Sequence, residues 1–550
     1  MFQNATLGYF YAMFAAQSLP YNETNSFSKL VLDYLNDAAA LRPFYSFRPN
    51  LEGVQKNIDA RKAFATNRPV LVKVLQEQYK SLPHAVAVDQ NIEALLAETT
   101  FTVCTAHQPN LFTGPLYFVY KVLHTIRLAA YLKEQLPHYQ FVPVYYMGSE
   151  DADFAELNHT YVDGKKIEWK KEQKGAVGRM TVDNTLLQLI NELEGQLVYE
   201  PFGKEVVVLL RRCYVPGKTI QDATFELVNE LYGAWGLVVL IPDQPALKDL
   251  MKPVFEDDLF QNVPSGIVPK TSEQLDKAYK AQAYPREINL FYLKDNLRER
   301  IEKKEDRYYV LNSDLVFDET TLRQELDAHP ERFSPNVILR GLYQETILPN
   351  LVFIGGGGET AYWLQLRELF QHYGVPYPVL VLRNSFLIVE EKWQQKLEKI
   401  GITAAALFQP VDDLMKTMVA QKSGHAVSLN GTLEKAESLY EQIRQQAETV
   451  DQSLSKHVAA IRARSMKELQ ELEKKMLRAE KRKFSDQQRQ IEAIKAVLFP
   501  GGGLQERTEN FSGFYAKWGR SFIEELLKAS LALEQEFTIL RQTHSPSHPL

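Results

Sequence analysis

The chain has 550 residues, of which 45% are apolar and 24% are charged, a balance that argues against extended disorder. Its 63 basic and 69 acidic residues give a formal net charge of -6, which argues against a broad nucleic-acid-binding surface. Two cysteines cannot form a disulfide framework, no stretch of about 20 residues is continuously apolar, and the opening residues do not resemble a signal peptide. We therefore expect a cytoplasmic protein of several domains that binds neither nucleic acid nor a membrane.

The first hundred residues are predicted to be mainly helical. Apolar side chains recur at helical spacing at Phe27, Leu30, Val31 and Tyr34, and again between residues 70 and 82. We expect this segment, residues 1–100, to pack on the domain that follows.

Residues 101–390 show the pattern of an α/β domain. An apolar run at 101–105, a helical stretch at 116–136 and a second apolar run at 141–147 predict a βαβ unit and hence a parallel sheet. Further buried strands are predicted at residues 236–241, 351–354 and 378–382. The stretches 160–230 and 250–335 are too long for loops, so the sequence predicts a doubly wound core with two insertions.

A helical hairpin is predicted over residues 430–499. Leu433, Tyr440, Ala447 and Leu454 recur at heptad spacing, and Asp451 is a candidate cap at a turn. The second helix could reach ~70 Å at 1.5 Å per residue. Such a hairpin leaves an apolar stripe uncovered, so we expect a homodimer through this coiled coil. The tail, residues 500–550, is expected to pack back on the core.

The loop after the first predicted strand is the first candidate site. His107, Gln108 and Asn110 supply polar side chains, Gly114 allows a tight turn, and Lys121 could neutralise an anion near the start of the following helix. A turn whose polar residues only cap the helix explains the same pattern.

The loop after the second predicted strand is acidic. Glu150, Asp151 and Asp153 lie between Ser149 and His159, and three close carboxylates repel one another unless a positive group binds. That group could be a substrate amine, Mg²⁺ or an arginine. A solvated acidic loop is the alternative.

A glycine-rich turn follows the strand at 351–354 and consists of Gly355, Gly356, Gly357 and Gly358. Such a turn lets the backbone approach a ligand closely and presents N–H donors. Glu359 could act there or simply cap the next helix, and Tyr362 and Trp363 could stack on a nucleotide base or pack in the core.

Two arginines complete the candidate site. Arg340 with Gln344, and Arg383 with Ser385, flank the last two predicted strands and could hold a carboxylate or phosphate. The carboxyl ends of parallel strands share one edge of a sheet, so these loops should converge on one anion-binding pocket.

Several segments together resemble one family. They are TAHQPNLFTGPLYFVYK, VPVYYMGSEDADFAELNH, FSPNVILRGLYQETILPNLVFIGGGGETAYWLQL, VLVLRNSF, KKMLRAEKRK and LFPGGGLQER. Their order and spacing are similar to those of the BshC family, the cysteine-adding enzymes of bacillithiol biosynthesis, over nearly the whole chain. Two positions depart from the family pattern: His107 stands where many members have Gln, and Ala152 stands where they have His.

The resemblance implies a Rossmann-like core related to nucleotidyltransferases and class I synthetases, connecting-peptide insertions and a dimerising coiled coil. It implies a ligase that joins the carboxyl group of L-cysteine to the amine of glucosaminyl-malate. Because amide formation from a carboxylate requires activation, we expect ATP as the cofactor, with Mg²⁺ as an optional ion rather than a dedicated metal site. His107, Gln108, Glu150, Asp151 and Asp153 are then the candidate catalytic residues. The glycine-rich turn would bind the nucleotide together with Asn110, Gly114, Lys121, Glu359, Tyr362 and Trp363. The residues expected to bind substrate are Ser149, His159, Arg340, Gln344, Arg383 and Ser385.

Two other functions fit the same sequence. One is a non-catalytic, nucleotide-binding assembly protein of the same pathway, whose coiled coil recruits partners. The other is a nucleotidyltransferase or tRNA-linked enzyme, which the acidic net charge disfavours.

Overall fold

The computed structural model describes residues 13–422 and 428–543. The expectations for the opening residues and for the last residues of the tail therefore lie outside the described residues. Contacts divide the described residues into two units: residues 13–22, 26–387 and 503–543 form the first, and residues 23–25, 388–422 and 428–502 form the second. In the part of the chain that is described, no helix combines the length and apolarity needed to cross a membrane.

A five-stranded parallel sheet, called here the central sheet, organises the first unit. Its strands, in spatial order, are Val379–Leu382, Asn350–Gly355, Thr100–His107, Gln140–Met147 and Val238–Leu240. If the strands are numbered first to fifth by their position in the chain, the order read from the Val238–Leu240 edge is 3-2-1-4-5. This is the doubly wound arrangement, and its switch point lies between Thr100–His107 and Asn350–Gly355. The five predicted strands and the α/β fold class are confirmed.

The central strands could be predicted from the sequence because both faces of the central sheet are buried. Val103, Phe141, Val352 and Val381 belong to one buried apolar cluster, to which helix Tyr117–Gln135 contributes Leu128. Burying such side chains contributes about 1.5–3 kcal/mol each. A strand covered on both sides is apolar throughout, which separates it from the polar loop that follows.

The N-terminal part of the first unit contains helices and one strand. The helices are Lys29–Leu35, Leu51–Lys62, Arg68–Tyr79 and Val86–Ala94. The strand Phe14–Leu19 pairs antiparallel with Phe537–Gln542 near the other end of the chain. The segment is mainly helical, as expected, but the strand was not predicted, because its hydrogen-bonding partner is distant in sequence and leaves no local pattern.

The connections between central strands contain additional elements. Between the second and third strands these are Phe154–Leu157, the hairpin His159–Val162 and Lys165–Glu168, and helices Asn184–Leu197, Gly203–Cys213 and Ile220–Tyr232. Between the third and fourth strands lies a five-stranded antiparallel sheet, the inserted sheet. Its strands are, in spatial order, Val316–Phe317, Arg307–Val310, Leu297–Lys304, Leu290–Lys294 and Phe333–Pro335.

The remaining helices of the first unit connect these sheets and form its tail. They are Pro245–Lys248, Lys252–Glu256, Val263–Asp276, Glu319–Ala328, Val337–Ile347, Gly357–Trp363, Arg367–His372, Phe511–Trp518 and Arg520–Ala529.

The second unit is helical, with helices Glu391–Ile400, Val411–Lys422, Asn430–Val450, Leu454–Lys481 and Ser485–Leu498. Asn430–Val450 and Leu454–Lys481 form the predicted hairpin, and Asp451 accepts a hydrogen bond from the Ser453 N–H in its turn. The expected ~70 Å helix was wrong: 28 residues, about 42 Å, end at Lys481, and a 3-10 turn at Arg482–Phe484 follows. No Gly or Pro marks this break in the sequence.

Candidate active site

A cavity of about 670 Å³ opens at the carboxyl edge of the central sheet, and the loops after all five strands contribute to its wall. His107 ends the first strand in chain order and Gln108 follows it, while Ser149 follows the second strand and Pro242 the third. Gly356 follows the fourth strand and Arg383 the fifth. The cavity therefore occupies the position beside the switch point where open α/β sheets bind ligands.

The structure brings many of the predicted site residues to this wall and leaves others outside it. Those that line the cavity are His107, Gln108, Lys121, Ser149, Glu150, Asp151, Arg340, Gly356, Gly357, Gly358, Glu359, Tyr362 and Arg383. Those outside the lining are Asn110, Gly114, Asp153, His159, Gln344, Gly355, Trp363 and Ser385.

Lys121 and Glu359 connect the first loop with the glycine-rich turn. Lys121 Nζ lies 2.5 Å from Glu359 Oε2 and donates a hydrogen bond of 2.9 Å to the Ala106 carbonyl. Burial lowers the pKa of Lys121, and the nearby Glu359 carboxylate opposes that shift. Glu359 also accepts from the Gly356 N–H at 2.8 Å, so it caps the helix Gly357–Trp363 while it neutralises Lys121.

The two predicted arginines are held differently. Arg340 donates to the Tyr362 hydroxyl at 2.6 Å and to Gln344 Oε1 at 3.1 Å, and no carboxylate of the described residues lies within 4.0 Å of it. Arg383 forms a buried ion pair of 2.7 Å with Glu506. The charge of Arg340 is therefore available to a ligand, whereas that of Arg383 is balanced within the protein.

Two polar atoms at the cavity wall are buried without a protein partner. His107 is 8% exposed, and its Nε2 forms no hydrogen bond with any described residue. Burial lowers the pKa of His107 well below its usual value, and Lys121 and Arg383 lower it further, so the ring is neutral at physiological pH. The buried Ser149 Oγ also lacks a partner among the residues described. Unsatisfied polar atoms are costly, which fits a cavity that binds a polar ligand.

The acidic loop has two well-fixed carboxylates. Glu150 Oε1 lies 2.5 Å from Nζ of the fully buried Lys248. Glu150 Oε2 accepts from the Ser334 hydroxyl at 2.7 Å. Asp151 Oδ2 accepts from Gln108 Nε2 at 3.1 Å. The first and second loops are thus joined by a direct hydrogen bond, and both carboxylates keep defined orientations.

The structure corrects the reading of Trp363 as a base-stacking residue. Its indole is fully buried, with its ring centroid 4.5 Å from that of Phe353. A Cβ placed on Gly341 would lie 3.0 Å from the Trp363 ring. Trp363 is a core residue, while its neighbour Tyr362 reaches the cavity.

Other predicted site residues have local structural roles. Asp153 caps the short helix Phe154–Leu157, and His159 begins the hairpin of the first insertion with its ring beside Tyr161. Ser385 donates to Glu506 and accepts from Arg383.

Three further predicted residues, Gln344, Gly114 and Asn110, do not line the cavity but contact other residues of the protein. Gln344 links Arg340 to the buried Glu345. Gly114 has a φ of 67°, which favours glycine, and a Cβ there would meet the Asn110 side chain at 2.8 Å. None of these three residues lines the cavity, and sequence alone does not distinguish capping or packing from ligand contact.

Several lining residues were not predicted. They are Ala106, Tyr117, Tyr146, Gly148, Glu156, Pro242, Phe291, Arg298, Pro335, Asn336, Val337 and Arg507. Arg507 belongs to the segment LFPGGGLQER, whose resemblance to the family could have marked it as a site residue. Arg298 belongs to the inserted sheet, and nothing in its local sequence marks it as a cavity residue.

No cluster of three or more His, Cys, Asp or Glu side chains suited to a metal ion occurs within residues 13–422 and 428–543. A Mg²⁺ ion at this site would therefore need ligands from a bound phosphate as well as from one or two carboxylates.

Two family models match this chain, one over the part that contains the central sheet and one over the part that contains the helical hairpin. The model of the BshC N-terminal Rossmann-like domain of bacillithiol biosynthesis matches residues 14–384. The model of the BshC C-terminal coiled-coil domain matches residues 386–542. Together they account for both the central sheet and the helical hairpin.

Curated relatives match along nearly their entire lengths. "Putative cysteine ligase BshC" of Flavobacterium johnsoniae is 39% identical over 525 residues, which cover 95% of this chain and 99% of that protein. The protein of the same name from Salinibacter ruber is 30% identical and covers 94% and 96%. A solved structure titled as a putative arginyl-tRNA synthetase from Campylobacter jejuni covers 82% of this chain and 99% of its own, at 10% identity. Its TM-score of 0.20 is too low to support a conclusion. On the two domain matches and these relatives, the chain belongs to the BshC family of bacillithiol biosynthesis.

Proposed function

We propose that the protein is a ligase that joins the carboxyl group of L-cysteine to the amine of glucosaminyl-malate, with activation of the carboxyl group by ATP. The names of the family members support a cysteine ligase. The observation that carries the proposal is the separation of charge in the cavity between two connected groups of residues. We also propose that the reaction takes place in the cytoplasm, in keeping with two buried cysteines that are not disulfide-bonded.

One group surrounds the glycine-rich turn and suits an anion. It contains Lys121, Arg340, Tyr362 and the backbone of Gly357 and Gly358. A Cβ on Gly358 would meet no atom within 4 Å, so there is open space above the turn. ATP, when bound, would supply the activation that amide formation from a carboxylate requires. Arg340 and the backbone N–H groups of the turn would hold its phosphates.

The other group suits an incoming amine. Glu150 and Asp151 accept hydrogen bonds that fix them at the wall, and Glu156 lies on the same wall. Burial raises the pKa of Glu156, and Asp151 and Asp153 raise it further. A carboxylate with a raised pKa is a stronger base than an ordinary one, so it can more readily accept the proton that the substrate ammonium group must lose before the free amine attacks.

The neutral His107 also lines the cavity. Its unpartnered Nε2 can form a hydrogen bond with the substrate carboxyl group, and the neutral ring adds no charge to the cavity. Ser149 offers a hydroxyl on the same wall. We assign these two residues to orientation of the cysteine carboxyl group rather than to nucleophilic attack.

The test is reconstitution with the purified full-length chain. L-Cysteine, glucosaminyl-malate, ATP and Mg²⁺ should give bacillithiol, detected by mass spectrometry, and omission of ATP should abolish it. Release of AMP and pyrophosphate would indicate an adenylate, and release of ADP and phosphate an acyl phosphate. Absence of product with any nucleoside triphosphate, with or without metal, would contradict the proposed reaction.

We further propose that the coiled coil forms a homodimer. On the hairpin, Leu439, Ile443, Leu454, Ile461 and Leu472 are each more than a third exposed. Such a stripe is expected to be covered by another helix. Light scattering should give twice the chain mass, and deletion of residues 433–498 should give monomers that keep measurable activity. A non-catalytic assembly protein would have no activity to keep.

A further inference from the structure

We propose that Arg298 forms a carboxylate-binding subsite in this cavity and that it binds the malate part of the acceptor. The inference rests on the proposed function for the identity of the acceptor. It assigns a recognition role to the inserted sheet, which supplies Arg298 to a cavity otherwise built largely from the loops of the central sheet.

Two contacts fix the plane of the Arg298 guanidinium group. Its Nε donates to the Ser334 hydroxyl at 3.1 Å, and its Cζ lies 4.0 Å from the centroid of the Phe291 ring. A guanidinium group stacked on an aromatic ring keeps its donor edge in a defined direction. Arg298 is therefore held in place before any ligand binds.

The terminal nitrogens of Arg298 remain available. Among the residues that the structure describes, no carboxylate lies within 4.0 Å of the guanidinium group, and neither Nη donates a hydrogen bond. The residue lines the cavity, so this pair of donors is accessible to a ligand there. A carboxylate accepts two parallel hydrogen bonds from such a pair.

Burial lowers the pKa of Arg298, and the nearby Asp151 and Glu150 oppose that shift, but neither carboxylate forms an ion pair with it within 4.0 Å, because both are engaged elsewhere. Ser334, which accepts from Arg298, donates to Glu150, and Glu150 is paired with the buried Lys248. Asp151 accepts from Gln108. This chain of contacts places a free cation beside two fixed carboxylates. The arrangement complements a molecule that carries both an ammonium group and a carboxylate.

The start of helix Val337–Ile347 adds to the same subsite. Asn336 and Val337 line the cavity with Arg298, and Asn336 caps this 11-residue helix. The N–H groups and the positive dipole end at a helix start favour an anion. Arg298 supplies the formal charge, and the helix start adds a weaker contribution.

The other cations of the cavity are less suited to this role. Lys121 and Arg383 are already paired with Glu359 and Glu506. Arg340 is held by Tyr362 beside the glycine-rich turn. Arg507 is an exposed side chain, so solvent screens its charge.

Glucosaminyl-malate carries both required groups, the amine on its sugar and two carboxylates on its malate. With the amine at Glu150 or Asp151, a malate carboxylate is free to engage Arg298. An acceptor that lacks malate, such as methyl glucosaminide, keeps the amine but cannot use the subsite. The two acceptors therefore separate recognition from chemistry.

The test compares both acceptors in wild type and Arg298→Ala. The variant should raise KM for glucosaminyl-malate by about 10- to 100-fold, as expected for a charge-assisted hydrogen bond. It should leave kcat/KM for methyl glucosaminide and KM for cysteine within about twofold. Arg298→Lys should recover part of the loss. Arg300→Ala, on the same strand but outside the lining, is the matched control and should behave as wild type.

An equal loss with both acceptors, or no loss with either, would overturn the subsite. Calorimetric binding of glucosaminyl-malate separates this inference from the proposed reaction, because it needs no turnover. Binding that depends on Arg298 without bacillithiol formation would support the subsite and contradict the reaction. Bacillithiol formation together with equally tight binding by Arg298→Ala would support the reaction and overturn the subsite. Failure of the wild-type protein to bind glucosaminyl-malate would also overturn the subsite.

Discussion

Lys121 Nζ lies 2.5 Å from Glu359 Oε2, which makes a buried cation of the cavity dependent on the residue that caps the helix after the glycine-rich turn. Lys121 is 3% exposed and Glu359 is 23% exposed. One contact therefore couples the first and fourth strand-end loops, and its removal should affect both stability and the site.

Glu359→Gln should lower the free energy of unfolding by about 2 kcal/mol, because it leaves the Lys121 ammonium group buried without a carboxylate. Urea denaturation provides the measurement. Glu52→Gln, which breaks the exposed pair between Glu52 and Lys56, is the control and should have little effect. Equal stability of Glu359→Gln and wild type would show that the buried pair contributes little.

Arg340→Lys should lower kcat/KM for the ATP-dependent reaction by about 10- to 100-fold, since lysine cannot reproduce a two-pronged contact with a phosphate or carboxylate. Tyr362→Phe removes only the hydroxyl that holds Arg340 and should have a smaller effect. Initial rates at varied ATP and varied cysteine identify the affected ligand. Wild-type kinetics in Arg340→Lys would remove Arg340 from the binding site.

Trp363→Phe should lower the thermal midpoint and leave KM for ATP unchanged, because the indole packs on Phe353 in the core. Truncation to alanine should cost about 3–5 kcal/mol of unfolding free energy, as large buried aromatic residues do. A KM for ATP that rises in Trp363→Phe at unchanged stability would reinstate Trp363 as a nucleotide contact.

His107 should remain neutral as the pH falls through 6.5, because burial lowers its pKa well below the usual value. The unfolded chain takes up that proton near pH 6.5, so this residue should make unfolding easier at lower pH. Nitrogen NMR of labelled histidine reports the charge, and His107→Gln should reduce the acid dependence of unfolding. An imidazolium signal from His107 at pH 6 would contradict the prediction.

Glu509 should show the opposite pH dependence. Burial, with a smaller contribution from Asp163, raises its pKa to about 7, although the Gly164 N–H, which donates to it at 3.0 Å, opposes the shift. The folded protein binds this proton more tightly than the unfolded chain, so its contribution to stability is full below about pH 4.5 and is lost as the pH rises through about 7. Glu509→Gln should therefore be more stable than wild type by roughly 1–3 kcal/mol at pH 8. Urea unfolding at pH 5 and pH 8 should show a difference that grows with pH; a variant that is no more stable at pH 8 would contradict it.

Local sequence pattern was sufficient for the parts of the fold whose burial is regular. The strand Thr100–His107 is buried along its whole length, so its apolar run and the polar loop after it could be read directly. Heptad spacing likewise predicted the helices of the hairpin, and the polar residues at 451–453 indicated its turn. Asp451 lies at the end of the first helix rather than capping the start of the second, which Ser453 precedes. Strand-end position then indicated where His107, Ser149 and the glycine-rich turn should meet, because parallel strands share one carboxyl edge.

Tertiary packing decided which side chains of those segments reach the cavity. Tyr362 and Trp363 are adjacent, yet one lines the cavity and the other lies in the core. Arg298 reaches the same wall from the inserted sheet, and Phe14–Leu19 pairs with a strand near the other end of the chain. The spacing of apolar residues along a segment indicates which faces of that helix or strand are buried. Contacts between distant segments depend on how whole elements pack, and that information appears only in the folded chain.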